Sequence, residues 1–401
     1  MKISPAAKKA IMIGSMCSLS YLAVYVARNI LGAVSPQMIA GGSFSTESIG
    51  TLSSVYFITY AVGQLINGRI GDKIKSKYMI SLGLIMAGVC NLLFSTLGSS
   101  MTVACIAYAL TGYFLSMIYG PMTKVVAENT EPVYTTRCSL GYTFSSFFGT
   151  PLAGVLAALM AWQGVFAFSS GMLFMMGVVC FVVFSLYERK GIIEYGKYRR
   201  QKSQGNAIRI LIQHQIIKFT FISVLGGIIR TTVVFWLPTY LSQYLGFSTD
   251  RAALIFTVST FVISSTTFVA VFLYERLRRD MHLTVLIAFS SSAVCFLLVF
   301  FVKHPVLNIL LMILAIMSSG CASSMLYSRY CPGLRDTGMV SSATGFLDFM
   351  SYMSASVSSK LFANAVTGIG WGNLILVWFG LMCMGVIVAL PYDRFRKKHT
   401  V

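Results

Sequence analysis

Four ionisable side chains sit inside long apolar stretches of this chain: Arg28, Arg230, Asp348 and Lys360. Residues of this kind are costly in hydrocarbon and are functional by default. An arginine cannot shed its proton to escape burial, so it must find an anion. Within these stretches the available carboxylate is Asp348, and one carboxylate cannot neutralise two guanidiniums. The deficit predicts an anionic ligand. A guanidinium fork matches carboxylate or phosphate in bidentate fashion, and two forks best suit a group of about two negative charges, such as a phosphate monoester. The alternative is a pair of structural arginines bonded to backbone carbonyls. Lys360 falls towards the end of its stretch and reads as a side chain that snorkels to the interface.

The neighbours are arranged to line a site. Tyr21, Tyr25 and Arg28 recur at i, i+4 and i+7, one face of a helix. Tyr56, Tyr60, Gln64 and Asn67 share a second face, and Asp348, Tyr352 and Ser356 a third. Polar faces are expensive in lipid, so these three are expected to border a water-filled cavity. Enzyme chemistry is not evident: there is no nucleophile–base pair, metal cluster or phosphate-cradling glycine loop. The sequence GIGWGN (Gly368–Asn373) reads as turn chemistry in an outer loop. The four histidines (214, 282, 304, 399) fall in or beside loops, which argues against histidine proton coupling. The nine scattered cysteines read as small buried apolar residues, neither a disulfide framework nor a metal site. No cofactor and no metal are expected.

The elements that must position these residues follow from composition. The 401 residues are 56% hydrophobic and 11% charged, with a mean hydropathy of +0.76. That excludes a soluble enzyme, a disordered chain and a nucleic-acid-binding domain. Twelve apolar stretches are each long enough to cross about 30 Å of hydrocarbon as a helix. They run roughly over 10–35, 47–70, 77–97, 100–124, 138–160, 164–187, 216–242, 250–274, 282–302, 306–329, 338–362 and 372–392. The first is too long and too polar for a signal peptide, so it is expected to stay in the mature protein. An even number of spans puts both ends on one face. Lys and Arg crowd that face, while the other carries only Arg251 and Lys303. The positive-inside rule makes the crowded face cytoplasmic, so most of the net charge of +19 is a topology signal. The expected fold is therefore all-α integral membrane, in a plasma or inner cell membrane. It has twelve transmembrane helices in two pseudo-symmetric six-helix bundles, with N- and C-termini cytoplasmic. The bundles are placed at 1–187 and 216–401. A charged cytoplasmic linker at 188–215, with a short amphipathic helix in it, joins them. Arg28 and Arg230 then fall in spans 1 and 7, equivalent members of the two halves. Such internal repeats are how many secondary transporters are built.

Two motifs carry a family resemblance. Gly68-x-x-x-Asp72-Lys73-x-x-x-Lys77, in the loop after the second span, resembles the loop signature of the major facilitator superfamily. Glycine there would permit close helix packing, and Asp72 would pair with backbone or basic groups to lock one conformation. The alternative is a basic loop that only sets topology. Tyr21-x3-Tyr25-x2-Arg28, TYAVGQLINGRIGDK (Thr59–Lys73) and Arg230 followed by TTVVFWLPTYL resemble the organophosphate:phosphate antiporter family over nearly the whole chain. That resemblance implies exchange of a glycerol- or sugar-phosphate for inorganic phosphate by alternating access. Arg28 and Arg230 would bind the phosphate, with Tyr25, Tyr60 and Tyr352 at positions matching cavity tyrosines. Departures lie around the arginine pair: Gln64 stands where the glycerol-phosphate members have lysine. Span 5 lacks their histidine, Ser319 stands near their tyrosine, and Asp348 stands where glycine is expected. Phosphate recognition is thus better supported than any particular organic group. The expected partners are a small anionic substrate and the lipid bilayer, with no nucleic acid, and the chain is expected to act as a monomer. The rival functions are a carrier of carboxylate anions, with H+ coupling through Asp348, and a transporter-like organophosphate sensor.

Overall fold

The computed structural model describes residues 4–71, 73–98, 100–195, 212–334 and 340–390. All of the regular structure in them is helical. The first six helices are α1 (Pro5–Ala40), α2 (Thr46–Gly71), α3 (Ser76–Leu97), α4 (Met101–Asn129), α5 (Pro132–Leu159) and α6 (Trp162–Arg189). After the linker come α7 (Ile216–Gln243), α8 (Thr249–Arg276), α9 (Met281–Phe301) and α10 (Pro305–Gly333). Two further helices lie within Val340–Ala389 and are joined at Gly370, where φ is 77° and ψ is 166°. A left-handed residue of this kind favours glycine. We call these two helices α11 (340–369) and α12 (371–389).

Among the described residues ten helices are long and apolar enough to cross a membrane. The twelve stretches expected from hydropathy differ from this in two places, and each has a local reason. The GIGWGN turn is so tight that Gly370 alone separates the last two helices, which count once among the ten although Phe362 and Trp378, on either side of it, meet ring to ring at 5.8 Å. In α5 the apolar described part is the shorter Ser145–Leu159. The short amphipathic helix expected in the linker falls mostly on residues outside those described.

Local sequence explains where the helices start. The Ser4 hydroxyl caps α1, accepting from the Ala7 amide at 3.2 Å, and Pro5 follows in the first turn, where no amide donor is needed. Asp280 caps α9 by accepting from the Leu283 amide at 3.1 Å. The outer surface is apolar: Val258, Met175 and Phe272 are 65%, 62% and 64% exposed. On a soluble protein such a surface would be an aggregation liability; on this chain it is the face that meets lipid.

The chain forms two compact units. Unit one holds Met1–Arg200 and Leu237–Phe261; unit two holds Gln201–Trp236 and Val262–Val401. In unit one, α1 packs on α5, α2 on α4, and α3 on α6 and α4. Its core centres on Phe94, whose ring lies 4.3 Å from Phe166 and 5.5 Å from Tyr108. With no hydrophobic force between helices in lipid, small residues and interhelical hydrogen bonds hold such packing. Thr111 donates to the Asn91 side-chain oxygen and the Asn91 amide donates to Ser169, both at 3.2 Å, tying α4, α3 and α6 together. Ser170 donates to the Gly88 carbonyl at 2.7 Å where α6 crosses α3.

The pairing recurs in unit two. There α7 packs on α11, α8 on α10, and α9 on α10 and α12. Trp378 of α12 lies 5.7 Å from Phe296 of α9 and 5.8 Å from Phe362 of α11, ring to ring. The same helix-pairing scheme thus occurs twice in the chain.

Two details were not foreseen. Gly227–Val233 in α7 and Leu326–Tyr330 in α10 are π-helical. Such widened turns are rare and frequently mark functional sites.

Candidate functional site

In unit one, the face of α1 carrying Tyr21, Tyr25 and Arg28 is packed against α2, α4 and α5. Arg28 is half-buried. Its guanidinium carbon lies 5.3 Å from the centre of the Tyr60 ring and 5.8 Å from that of Tyr25. Aromatic faces attract a cation at this range. Tyr25 is held in place from two sides. The Asn29 amide donates to its carbonyl at 2.7 Å. Gly149 lets α5 pass so close that a Cβ there would overlap the Tyr25 side chain. Tyr21 stands edge-on to Tyr25 at 5.0 Å and lies 5.3 Å from Tyr119 and 6.2 Å from Tyr142.

The face expected on α2 is divided. Tyr60 faces Arg28, and Gln64 is half-buried one turn further on. Tyr56 instead packs on Tyr108 at 4.9 Å in the bundle core. Asn67 is buried and donates to Ser116 at 2.8 Å, so its polarity holds α2 against α4 rather than lining a cavity.

In unit two, a small recess open to solvent is bordered by three helices, and Arg230 in its wall is exposed. From α7 come Ser223, Gly226, Arg230 and Thr231. From α10 come Ser323 and Tyr327, and from α11 Asp348, Ser351 and Tyr352. The residues singled out in this half, Arg230, Asp348 and Tyr352, are therefore brought together, while Ser356 is buried away from that wall. Both π-helical turns feed the cavity, one through Arg230 and the other through Tyr327. Tyr327 is hydrogen-bonded to Ser223 and lies within electrostatic reach of Asp348, Arg230 and Tyr352. Two side chain–backbone bonds clamp α11 to α7 on either side of Asp348. Ser223 donates to the Leu347 carbonyl at 2.6 Å, and Ser354 to the Val224 carbonyl at 3.0 Å. Glycine makes close packing possible on two sides of α7: a Cβ at Gly227 would overlap the Ser351 carbonyl of α11, and one at Gly226 the Ser323 hydroxyl of α10.

The loop motif is only partly as expected. Asp72 lies outside the described residues, and Lys73 is exposed. Lys77 is 8% exposed and pairs with Glu188 at 2.6 Å; Lys75 pairs with the same carboxylate at 2.7 Å. The hydrogen bond from Lys75 to Glu188 holds the Lys75 ammonium above its ordinary pKa. Lys77 thus closes the loop onto the end of α6 as well as carrying charge. Gly68 faces open space, with nothing described within 4 Å of a Cβ placed there. The close packing expected of it is supplied instead by Gly63, against Ser116.

Tyr327, Tyr119, Asn29 and Glu188 escaped the reading of the sequence. Tyr327 falls in an apolar stretch with no charge to mark it, and Glu188 lies at the first position of the charged linker.

Residues 17–359 match the family model described as Major Facilitator Superfamily. Membrane sensor protein UhpC of Escherichia coli is 23% identical over 252 residues, 57% of this chain and 56% of that protein's length. The glycerol-3-phosphate transporter of Bacillus subtilis is 22% identical over 415 residues, covering 96% of this chain and 92% of the relative. Among solved structures, the D-xylose-proton symporter superposes with a TM-score of 0.75 at 12% identity, over 94% of this chain and 96% of that one. The last likeness shows the fold: an all-helical, multi-pass membrane architecture.

Proposed function

The chain belongs to the major facilitator superfamily, a family of membrane transporters rather than enzymes, and on that premise we propose that it carries a phosphate ester across the membrane. The substrate is of the glycerol-phosphate or sugar-phosphate type, exchanged for inorganic phosphate. The protein is a monomer with twelve spans and both ends in the cytoplasm of the cell that holds it in its plasma or inner membrane. Residues 1–187 and 216–401 form the two bundles that rock about the substrate, and 188–215 link them.

One observation carries the reading. Each repeat holds one arginine at an equivalent place: Arg28 of α1 against the Tyr60 and Tyr25 rings, and Arg230 of α7 at a hydroxyl-lined cavity. Two fork-shaped cations bind a phosphoryl group in the bidentate manner that suits it, and they remain charged at any physiological pH. Tyr21, Tyr25, Tyr60 and Gln64 serve the N-terminal arginine; Tyr352 and Asp348 serve the C-terminal one. The relatives support the same class of ligand, since a glycerol-3-phosphate transporter is similar over almost the full length. Alternating access then has a physical driver. Without ligand the two arginines repel, which disfavours closure; an anion removes the repulsion, so its affinity for the closed state exceeds that for the open one.

The similarity to the sensor UhpC favours a second reading, in which the same site binds an organophosphate without net transport. Counterflow separates the two. Liposomes loaded with inorganic phosphate and carrying the purified protein are expected to accumulate labelled glycerol phosphate without a proton gradient. Accumulation no greater than in protein-free liposomes, with binding intact, assigns the protein to the sensors. Uptake of simple carboxylates in preference to phosphates would place it among carboxylate carriers.

A further inference from the structure

The recess in unit two holds hydroxyl groups that the protein leaves unused. Ser323 of α10 and Ser351 of α11 border it, and neither hydroxyl makes a hydrogen bond to any described residue. Ser323 is 4% exposed. The large majority of side-chain polar atoms at such depth have a partner, because an unpaired one is costly to bury. Nearby serines of the same helices spend their protons on the backbone. Ser328 donates to the Ser324 carbonyl at 2.6 Å, and Ser354 to the Ser351 carbonyl at 2.7 Å. Ser323 makes no such bond. Its Oγ lies against Gly226 of α7, where a Cβ would overlap it, so the missing side chain at 226 is what leaves this hydroxyl uncovered. The space is small: it opens to solvent and has room for about one water molecule. A phosphoryl group, with its tetrahedron of oxygens, is too large for it. A single hydroxyl fits.

We infer that this recess is a hydroxyl-binding subsite: Ser323 and Ser351 hold one hydroxyl of the ligand's organic group, which selects phosphorylated polyols over simple alkyl phosphates. The inference rests on the reading above, that Arg28 and Arg230 hold the phosphate. Arg230 borders the same recess, so the carbons next to the phosphate are the part of an ester that reaches it. The chemistry of the wall fits that guest. A hydroxyl both donates and accepts, and so do Ser323 and Ser351, whose hydrogens turn to suit the partner. Water can enter so open a space, and a ligand hydroxyl replaces it at little cost because it offers the same donor and acceptor. An alkyl group would displace the water and strand both serines, and a site built for a hydroxyl rejects the analogue that lacks it for that reason. Apart from Gly226, every residue bordering the recess carries a polar side chain, so nothing there rewards an apolar group. Gly226 belongs to the subsite through what it lacks: a methyl group at 226 would cover Ser323.

The test uses the purified full-length protein and three probes: inorganic phosphate, glycerol phosphate and propyl phosphate. The last keeps the phosphate and the three-carbon chain and lacks the hydroxyls. Dissociation constants are read by calorimetry. The wild type is expected to bind glycerol phosphate about tenfold more tightly than propyl phosphate, the worth of one good hydrogen bond. Ser323→Ala is expected to bring that ratio to about one, by weakening glycerol phosphate while propyl phosphate and inorganic phosphate bind as before. Its melting temperature without ligand should equal or exceed that of the wild type, because the hydroxyl removed has no partner among the described residues. Ser351→Ala is a second variant with the same expected loss of discrimination. With inorganic phosphate still bound, three results overturn the inference and leave the phosphate reading standing. These are equal affinity of the wild type for the two esters, a tenfold ratio that survives in both serine variants, and a lowered melting temperature in Ser323→Ala. Failure of the wild type to bind any of the three probes overturns both.

Discussion

Arg28→Lys is expected to insert and fold normally and to lose about thirtyfold to several-hundredfold of its phosphate-ester uptake. The substitution keeps the positive charge and removes the planar fork, so it isolates geometry from electrostatics. Losing one of two bidentate, charge-assisted contacts to a phosphoryl group in a partly desolvated site costs about 2–4 kcal/mol, and each 1.4 kcal/mol is tenfold. Tyr60 and Tyr25, whose rings lie 5.3 and 5.8 Å from the guanidinium carbon, still offer a lysine a cation–π partner. The fold therefore has little reason to fail, and the loss should appear in transport. Arg230→Lys is expected to behave alike, because it is the matching residue of the second repeat. The check is initial uptake into proteoliposomes, normalised to the amount of inserted protein. Near-normal uptake by either variant contradicts a bidentate phosphate site.

Gly227→Ala is expected to lower thermal stability and weaken anion binding together, although it adds one methyl group and no charge. The new Cβ would overlap the Ser351 carbonyl and come within 2.5 Å of the Ser354 hydroxyl on α11. A serine side chain can turn; a helix carbonyl cannot without breaking its own hydrogen bond. The α7 backbone must therefore move away from α11, and overpacking of this kind costs about 1–3 kcal/mol. Arg230 lies three residues on in the same π-helical turn, so the displacement carries it off the cavity wall that Asp348 and Tyr352 share with it. Gly171→Ala is the control. It sits within α6 with nothing described within 4 Å of the added carbon, and alanine favours a helix over glycine. A melting temperature for Gly227→Ala equal to that of wild type would show that α7 and α11 are not pinned there.

How far the sequence announces this structure depends on the kind of force involved. Hydropathy locates the helices because lipid demands an apolar surface and internal hydrogen bonds along the whole span, a requirement written residue by residue. Charge inside apolar stretches locates Arg28, Arg230 and Asp348 for the same reason, and the recess in unit two does bring the last two together, although Arg230 is exposed there. What depends on contact between helices was not legible. Asn67 shares a helical face with Tyr60, yet it is committed to Ser116 on α4, and nothing local distinguishes the two uses of a polar side chain. Tyr327 reaches the cavity because α10 widens into a π-turn, which leaves no mark on the apolar periodicity. Lys77 reads as one more cytoplasmic charge until Glu188, over a hundred residues away in sequence, is seen to bind it and Lys75 at once. The glycines divide in the same way. Gly227 and Gly149 matter through neighbours that only the fold supplies, whereas the motif glycine Gly68 faces open space.

The central claim is that the two arginines make a phosphate site, and binding tests it before any question of transport arises. Purified wild-type protein should be melted with inorganic phosphate, glycerol phosphate, glycerol and a simple dicarboxylate, alongside Arg28→Lys and Arg230→Lys. A ligand that binds only the folded state stabilises by about 2.7 kcal/mol when present at a hundred times its Kd. The account predicts that both phosphates raise the melting temperature of the wild type, that glycerol does not, and that either lysine variant loses most of the effect. Equal stabilisation by glycerol, or phosphate stabilisation that survives in both variants, would contradict it.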